Sequence, residues 1–325
     1  MPHPDFADSF DDLVCPRDHL PLHRAGGGLA CRQGHAYPVV DGIPVLLLRD
    51  AEQTHGYALE SLAAADGAGA DRGEAAGGGV DPFVQQEIVK TNGLMYRSLL
   101  GSLKEYPIPR LDAPPGDGAS FLDLGCNWGR WCVAAARLGY LPTGIDPSLE
   151  AVRAARRVAR ALGVRARFIV ADARFLPFAG GSFDFVYSYS VLQHFSKENA
   201  TTAIGEAGRV LKPGGRAMIE MPNVFGLRCL YHQARRGFRE PRNFEVRYWT
   251  PRELRSTFAR LVGAPKLSVD GFFSLNPQPA DADLLPLRYR AVIRTSELLR
   301  RLSTVVRPLV GVADSLYVTA RKPSA

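Results

Sequence analysis

The chain has 325 residues, 46% hydrophobic and 22% charged, which suits one large folded unit or two unequal ones and excludes a disordered chain. Forty lysines and arginines against 33 acids leave a formal charge of +7, an excess that permits an anionic partner without demanding one. Five scattered cysteines make no disulfide framework, no basic-then-apolar leader is seen, and the apolar runs are too short to span a bilayer, so the cytoplasm is the expected location.

Residues 1–12 read as an acidic tail. Residues 13–50 alternate short apolar runs with Gly and Pro and read as a small β module of two or three strands. Inside it, CPRDHLPL (15–22) and CRQGHAYP (31–38) set out Cys15, Asp18, Cys31 and His35, with His19 competing for the place of Asp18. Zinc accepts Cys, His and Asp in a tetrahedral site, and so small a core usually needs a staple. The alternative is that the apolar ending (Tyr37, Val39, Ile43, Val45, Leu47) holds the module without metal. Either way the module reads as a structural or docking element.

Residues 51–82 read as an Ala/Gly-rich linker, centred on AADGAGADRGEAAGGGV at 64–80, and give the expected domain boundary. A second domain then runs from 83 to 325. Past a helical stretch and a Pro-rich connector, strand and helix patterns alternate. SFLDLGC (120–126), LPTGID (141–146), ARFIVAD (166–172), FDFVYSYS (183–190) and GRAMIEMP (215–222) read as strands. LEAVRAARRVARALG (149–163) reads as a helix with Val152, Ala155, Ala159 and Leu162 on one face, closed by Gly163. The pattern predicts an α/β, Rossmann-like parallel sheet. Thr250-Pro251-Arg252-Glu253 predicts a capped helix start, and KLSVDGFF (266–273) and SLYVTARK (315–322) two more strands. Between these strands, about 280–312 reads as a helical lid, with Leu298, Leu302, Val305 and Leu309 on its apolar side.

The strongest chemical signal is FLDLGCNWGRW (121–131): a strand, a glycine turn and a helix start, with Asp146 ending the next strand where ribose hydroxyls can be held. Gly125 allows close backbone approach to a ligand and Gly129 close helix packing. The turn alone would also suit a dinucleotide oxidoreductase. The whole ordered set, including Asp172-Ala173, VLQHF (191–195) and LKPGG (211–215), resembles the class I S-adenosylmethionine-dependent methyltransferases, over residues 119 to about 222 plus the last strand. That resemblance implies a seven-stranded sheet with an antiparallel last strand. It implies a cofactor site in which Asp123 and the backbone of Gly125, Cys126, Asn127, Trp128 and Gly129 line the methionine end. Asp146 and Pro147 would serve the ribose, Asp172 and Ala173 the adenine, and Ser188 the amino group. Families of this kind usually have glycine where this chain has Asn127, and Asn tolerates a left-handed backbone. His194 is the candidate base, with Tyr189 beside it; Glu220 and Asn223 are candidates for substrate orientation or for strand-end hydrogen bonds.

The N-terminal module resembles both the zinc-ribbon activator subunit of several RNA and protein methyltransferases and the zinc module of bacterial ribosomal-RNA guanine methyltransferases. The expected activity is methyl transfer to an O, N or C atom of a small-molecule, glycan or lipid-linked acceptor. Zinc is a candidate structural ion, and the basic helix raises peripheral contact with the inner membrane surface. The alternatives are an RNA methyltransferase docking through the module, and a cofactor-binding partner without transfer activity.

Overall fold

A computed structural model describes residues 9–67, 79–92, 94–273 and 278–324. Most of the expected acidic tail and the Gly-rich part of the expected linker, 68–78, lie outside the described residues. Five short strands come first: β1 (His23–Ala25), β2 (Gly28–Ala30), β3 (Ala36–Tyr37), β4 (Val39–Val40) and β5 (Ile43–Leu46). Helices α1 (Gly56–Asp66) and α2 (Pro82–Asn92) follow. The alternating part contains β6 (Ser120–Leu124), α3 (Arg130–Arg137), β7 (Leu141–Asp146), α4 (Leu149–Ala161) and β8 (Arg167–Ala171). It continues with β9 (Phe183–Ser188), α5 (Lys197–Val210) and β10 (Leu211–Pro222). The C-terminal part holds α6 (Leu227–Arg235), α7 (Pro251–Leu261), β11 (Pro265–Gly271), α8 (Leu287–Leu302), α9 (Leu309–Val312) and β12 (Ser315–Arg321).

Among the described residues the main sheet runs β11-β12-β10-β9-β6-β7-β8-β5-β4, nine strands rather than the expected seven. β12 is antiparallel to both neighbours. The two additional strands come from the N-terminal module. β4 and β5 form a hairpin around Asp41 and Gly42, both left-handed (φ 52° and 72°), as a tight hairpin turn requires. β5 then lies parallel to β8, pairing Val45 with Val170 and Leu46 with Ala171. Every residue of β5 and β8 is buried, so β8 would be an apolar unpaired edge without β5. The module is thus continuous with the sheet, and residue 50 is no structural boundary.

The stretch read as a linker also holds structure. Residues 56–66 are α1, which buries Ala58, Ser61 and Leu62. Ser61 Oγ lies 2.7 Å from the Pro147 carbonyl and accepts the Leu149 N–H at 2.8 Å, fastening α1 to the start of α4. An alanine-rich helix with little amphipathic contrast leaves a weak periodic signal, which is why composition alone suggested a linker. α4 follows its prediction: Ser148 caps it by accepting the Ala151 N–H, and Val152, Ala155 and Ala159 are buried. Each side chain as fully buried as Val152 contributes about 2 kcal/mol by leaving water. α7 begins with the expected capping box on Thr250 and Glu253.

The 280–312 segment departs from expectation. α8 buries only Ile293, with Leu299 packed against the core from its margin, while Leu298 is 66% and Val305 80% exposed. Of the side expected to pack, Leu298, Leu302 and Val305 face solvent, while Leu309 packs against the core.

Candidate cofactor cleft

A cleft of about 570 Å³ opens where β6, β7 and β8 end. The turn after β6 forms its floor. Gly125 is left-handed (φ 75°), and a Cβ there would lie 2.4 Å from Val191. Asn127 also adopts the left-handed conformation (φ 47°), which an Asn tolerates better than most residues. Gly129 packs rather than binds, since a Cβ there would press on Ala155 and Phe168 at 3.1 Å.

Of the sequence-predicted set, Gly125, Cys126, Asn127, Trp128, Asp146, Pro147, Asp172 and Ala173 line the cleft. Asp146 accepts the Asn127 N–H and the Ser148 N–H, both at 2.9 Å. A carboxylate has about four acceptor positions, so two remain for a ligand's hydroxyls. Burial pushes its pKa up to about 6. Asp172 is more committed than expected. Arg174 clamps it through Nε and Nη2, at 3.1 and 2.7 Å to Oδ2, and reaches on to the Glu52 carbonyl and Asn199. Its carboxylate is therefore largely taken up within the protein.

Two predicted cofactor residues lie behind the wall. Asp123 is 1% exposed, beneath the turn, with the Cys132 thiol 3.5 Å from Oδ2 and no partner for Oδ1. Burial raises its pKa to about 7. Strand alternation turns this side chain away from the cleft. Ser188 donates to the Leu124 carbonyl at 3.0 Å and is likewise buried, so it holds β9 to β6.

The two candidate catalytic residues wall the cleft, yet neither side chain is set up as a base. His194 Nδ1 lies 2.8 Å from the Phe244 carbonyl and must donate to it, which leaves Nε2 to accept from Gln193 Nε2 at 3.2 Å. The ring stacks on Phe244 at 3.7 Å, and burial pushes its pKa down to about 4. The Tyr189 hydroxyl donates to Asp270 at 3.0 Å and accepts from Gln278 at 2.7 Å, and burial raises its pKa well above the ordinary phenol value. Asn223 is structural: its amide donates to the Gly311 and Ala313 carbonyls, both at 2.9 Å. Glu220 joins a buried cluster in which Ser315 Oγ bridges it to Asp270, and burial raises its pKa to about 8.

Sequence reasoning missed the cover of the cleft. α8 contributes nothing to the lining; His55, Tyr57, Phe83, Glu87 and Lys90 do, with Phe244 and Val246 from the loop after α6. It also missed Arg130, the first residue of α3, which lines the cleft at 7% exposure with Nε and Nη1 unpartnered. The position is inside the quoted motif, but nothing in the sequence says that its guanidinium turns inward.

Away from the cleft, Cys15, Asp18, Cys31 and His35 bring their ligand atoms within 4.8 Å of one another. The separations include 3.5 Å for Cys15 Sγ to His35 Nδ1, 3.4 Å for Cys31 Sγ to Asp18 Oδ2, and 3.0 Å for His35 Nδ1 to Asp18 Oδ2. His19 is not in the group. The Tyr37 hydroxyl lies 3.2 Å from the Cys15 sulfur.

Residues 121–215 match the family model described as a methyltransferase domain. This methyltransferase-like segment holds the glycine turn, Asp146 and His194. An uncharacterized 37.1 kDa protein from a Streptomyces fradiae transposon is 35% identical over 144 residues, 43% of this chain and 40% of that protein. The ubiquinone biosynthesis O-methyltransferase of Rhizobium leguminosarum bv. trifolii is 31% identical over 111 residues, 34% of this chain and 43% of the enzyme. The chain thus spans about two-fifths of the length of these curated relatives. A solved SAM-dependent methyltransferase from Methanosarcina mazei is 21% identical, with 64% of this chain and 94% of that one covered at a TM-score of 0.47. No helix among the described residues is long and apolar enough to cross a membrane.

Proposed function

We propose that this protein transfers a methyl group from S-adenosylmethionine to an O, N or C atom of a small-molecule, glycan or lipid-linked acceptor. The observation that carries the reading is the cleft itself: a left-handed glycine turn, with the Asp146 carboxylate opposite and two of its acceptor positions open. The chemistry of the lining suits the cofactor. Asp146 can accept from ribose hydroxyls, and the unpartnered Arg130 can take a carboxylate. When bound, the cofactor supplies a methyl group already activated on a sulfonium. The protein's work is then mainly positioning. Trp128, Trp131 and Phe244 provide apolar walls that exclude water, while Asn127 fixes α2 over the site through Glu87. With Tyr189 committed to Asp270 and His194 held neutral, an acceptor with an already nucleophilic atom is favoured.

The N-terminal module reads as a zinc-ribbon-like staple. Tetrahedral zinc with bonds of about 2.0 to 2.3 Å places its ligand atoms about 3.5 Å apart. The separations among the four residues approach that value. The ion would tie β1–β3 together next to the edge of the main sheet, with Tyr37 supporting Cys15 from behind.

The test incubates purified protein with methyl-labelled S-adenosylmethionine and a lysate divided into RNA, lipid, polysaccharide and small-molecule fractions. Label is expected in a non-RNA fraction. Label confined to RNA would replace this reading with RNA methylation, and tight cofactor binding without label would favour a non-catalytic partner.

A further inference from the structure

We infer that the surface formed by α6 and the loop after it, α8 and the 303–312 segment is a docking face for an anionic lipid bilayer. It sits at the cleft end of the sheet, and the loop that follows α6 supplies Phe244 and Val246 to the cleft wall. Pro222 at the end of β10 pairs with Ser315 at the start of β12, so α6 and α9 meet at the same end of the sheet as the cleft, on its β10–β12 side. They are joined firmly. Asp314 accepts the Arg228 and Cys229 N–H groups at 2.7 and 2.9 Å, and Asn223 holds the Gly311 and Ala313 carbonyls.

Several apolar side chains of these elements are left in water. Besides Leu298 and Val305, Leu227 is 55% and Phe238 68% exposed. On α8 the exposed positions Leu287, Arg294, Leu298 and Arg301 recur at helical spacing, so leucines and arginines share one solvent face. A cluster of this kind on a folded protein marks an interaction site.

Charge selects the occupant. Residues 287–312 contain six arginines and a single acid, Glu297, which is turned onto Arg300 and Arg301. Residues 225–247 contain six more arginines and two acids. Arg294 and Arg307 have no carboxylate partner among the described residues. A second copy of the chain would bring like charge against like charge. A bilayer with anionic headgroups matches both features, since leucine, valine and phenylalanine enter the acyl boundary while arginines meet phosphates. Phe244 and Val246, which wall the cleft, belong to the same basic loop, so a docked protein would hold its cleft mouth beside the bilayer. That an acceptor is then drawn from the membrane rests on the methyl-transfer reading; the docking itself does not.

Vesicle flotation tests it, using phosphatidylcholine with and without phosphatidylglycerol. The full chain should float with the anionic vesicles, release as salt rises, and stay behind with phosphatidylcholine alone. The Leu298→Glu/Val305→Glu double variant should bind about tenfold more weakly while keeping its Tm and its cofactor affinity. Failure to float with anionic vesicles overturns the inference, as does equal flotation of the double variant. Salt-sensitive retention by bulk RNA without vesicle binding assigns the face to nucleic acid, and dimerisation abolished by the double variant assigns it to a second copy. Flotation without label transfer would sink the transfer reading and leave docking standing.

Discussion

Asn127 and Glu87 are joined across the cleft: the Asn127 amide nitrogen donates to Glu87 Oε2 at 3.3 Å, while its backbone holds the left-handed turn. Glu87 is almost fully buried and also receives Lys90 at 2.8 Å. One residue therefore serves two purposes, its backbone shaping the floor and its side chain holding the α2 cover.

Asn127→Gly separates them. Glycine keeps the left-handed turn at no steric cost and loses the tie to Glu87. Amide exchange in residues 82–92 should quicken and cofactor affinity fall several-fold, with little change in Tm. Unchanged exchange would show that α2 is held by its apolar contacts alone.

Arg130 enters the cleft with two nitrogens unpartnered, an arrangement that costs stability unless a ligand supplies an acceptor. Arg130→Ala should weaken cofactor binding by about tenfold or more, and Arg130→Lys by less, because the planar fork is lost but the charge is kept. Calorimetry with S-adenosylhomocysteine reads both. Equal affinity in all three proteins would move Arg130 to the acceptor side of the cleft.

Loss of a true general base costs about a hundredfold to ten-thousandfold in rate. His194 is neutral with both ring nitrogens engaged, so His194→Phe should lower kcat by less than about tenfold. With its pKa near 4, it should also give no inflection in kcat between about pH 5 and 8. Once an acceptor is known, a pH–rate profile decides this directly.

Glu220 is held protonated, its pKa raised by burial and then by the Asp270 charge to about 8. Between its ordinary value of 4.5 and that raised value, the folded chain keeps a proton that the unfolded chain releases. Folding is then favoured at the acid side of the window, and stability is lost as pH rises through it. Tm should fall from pH 6 to about 8.5, and Glu220→Gln, which cannot release a proton, should flatten the decline. A parallel decline in the variant would place the effect in Asp123 or elsewhere.

On the zinc-staple reading, removing the ion should unfasten the N-terminal module. The protein as purified should contain about one zinc per chain, and a chelator should lower Tm by several degrees. Cys31→Ser should lose the metal and mimic the chelator. Protein that is metal-free and melts at the same temperature with or without chelator would leave the apolar ending as the sole support.

The α/β alternation, the capped helices and the cleft floor were legible in the sequence because each rests on local chemistry: a glycine turn, an acid at a strand end, a capping box. Asp123 and Ser188 were misplaced because a residue's position in a motif does not say which way its side chain points. The α1 helix was missed because alanines carry little periodic contrast. The leucines of α8 show the converse, a clear period from which packing was inferred although exposure decides it. What the sequence could not show was non-local: that residues 43–46 pair with a strand far downstream, or that Arg174 claims Asp172.

The pairing of Val45 with Val170 also bears on how the chain is made. β5 is synthesised long before β8, so the β4–β5 hairpin waits with its β5 edge unpaired until β6, β7 and β8 have been made. The β5–β8 pairing is a contact of high sequence separation, the kind that closes late. A truncation that begins after residue 50 would expose β8 as a bare apolar edge, and it should aggregate instead of yielding a smaller folded domain. The hairpin therefore precedes β8 in the chain yet takes its place in the sheet only after β8 is made.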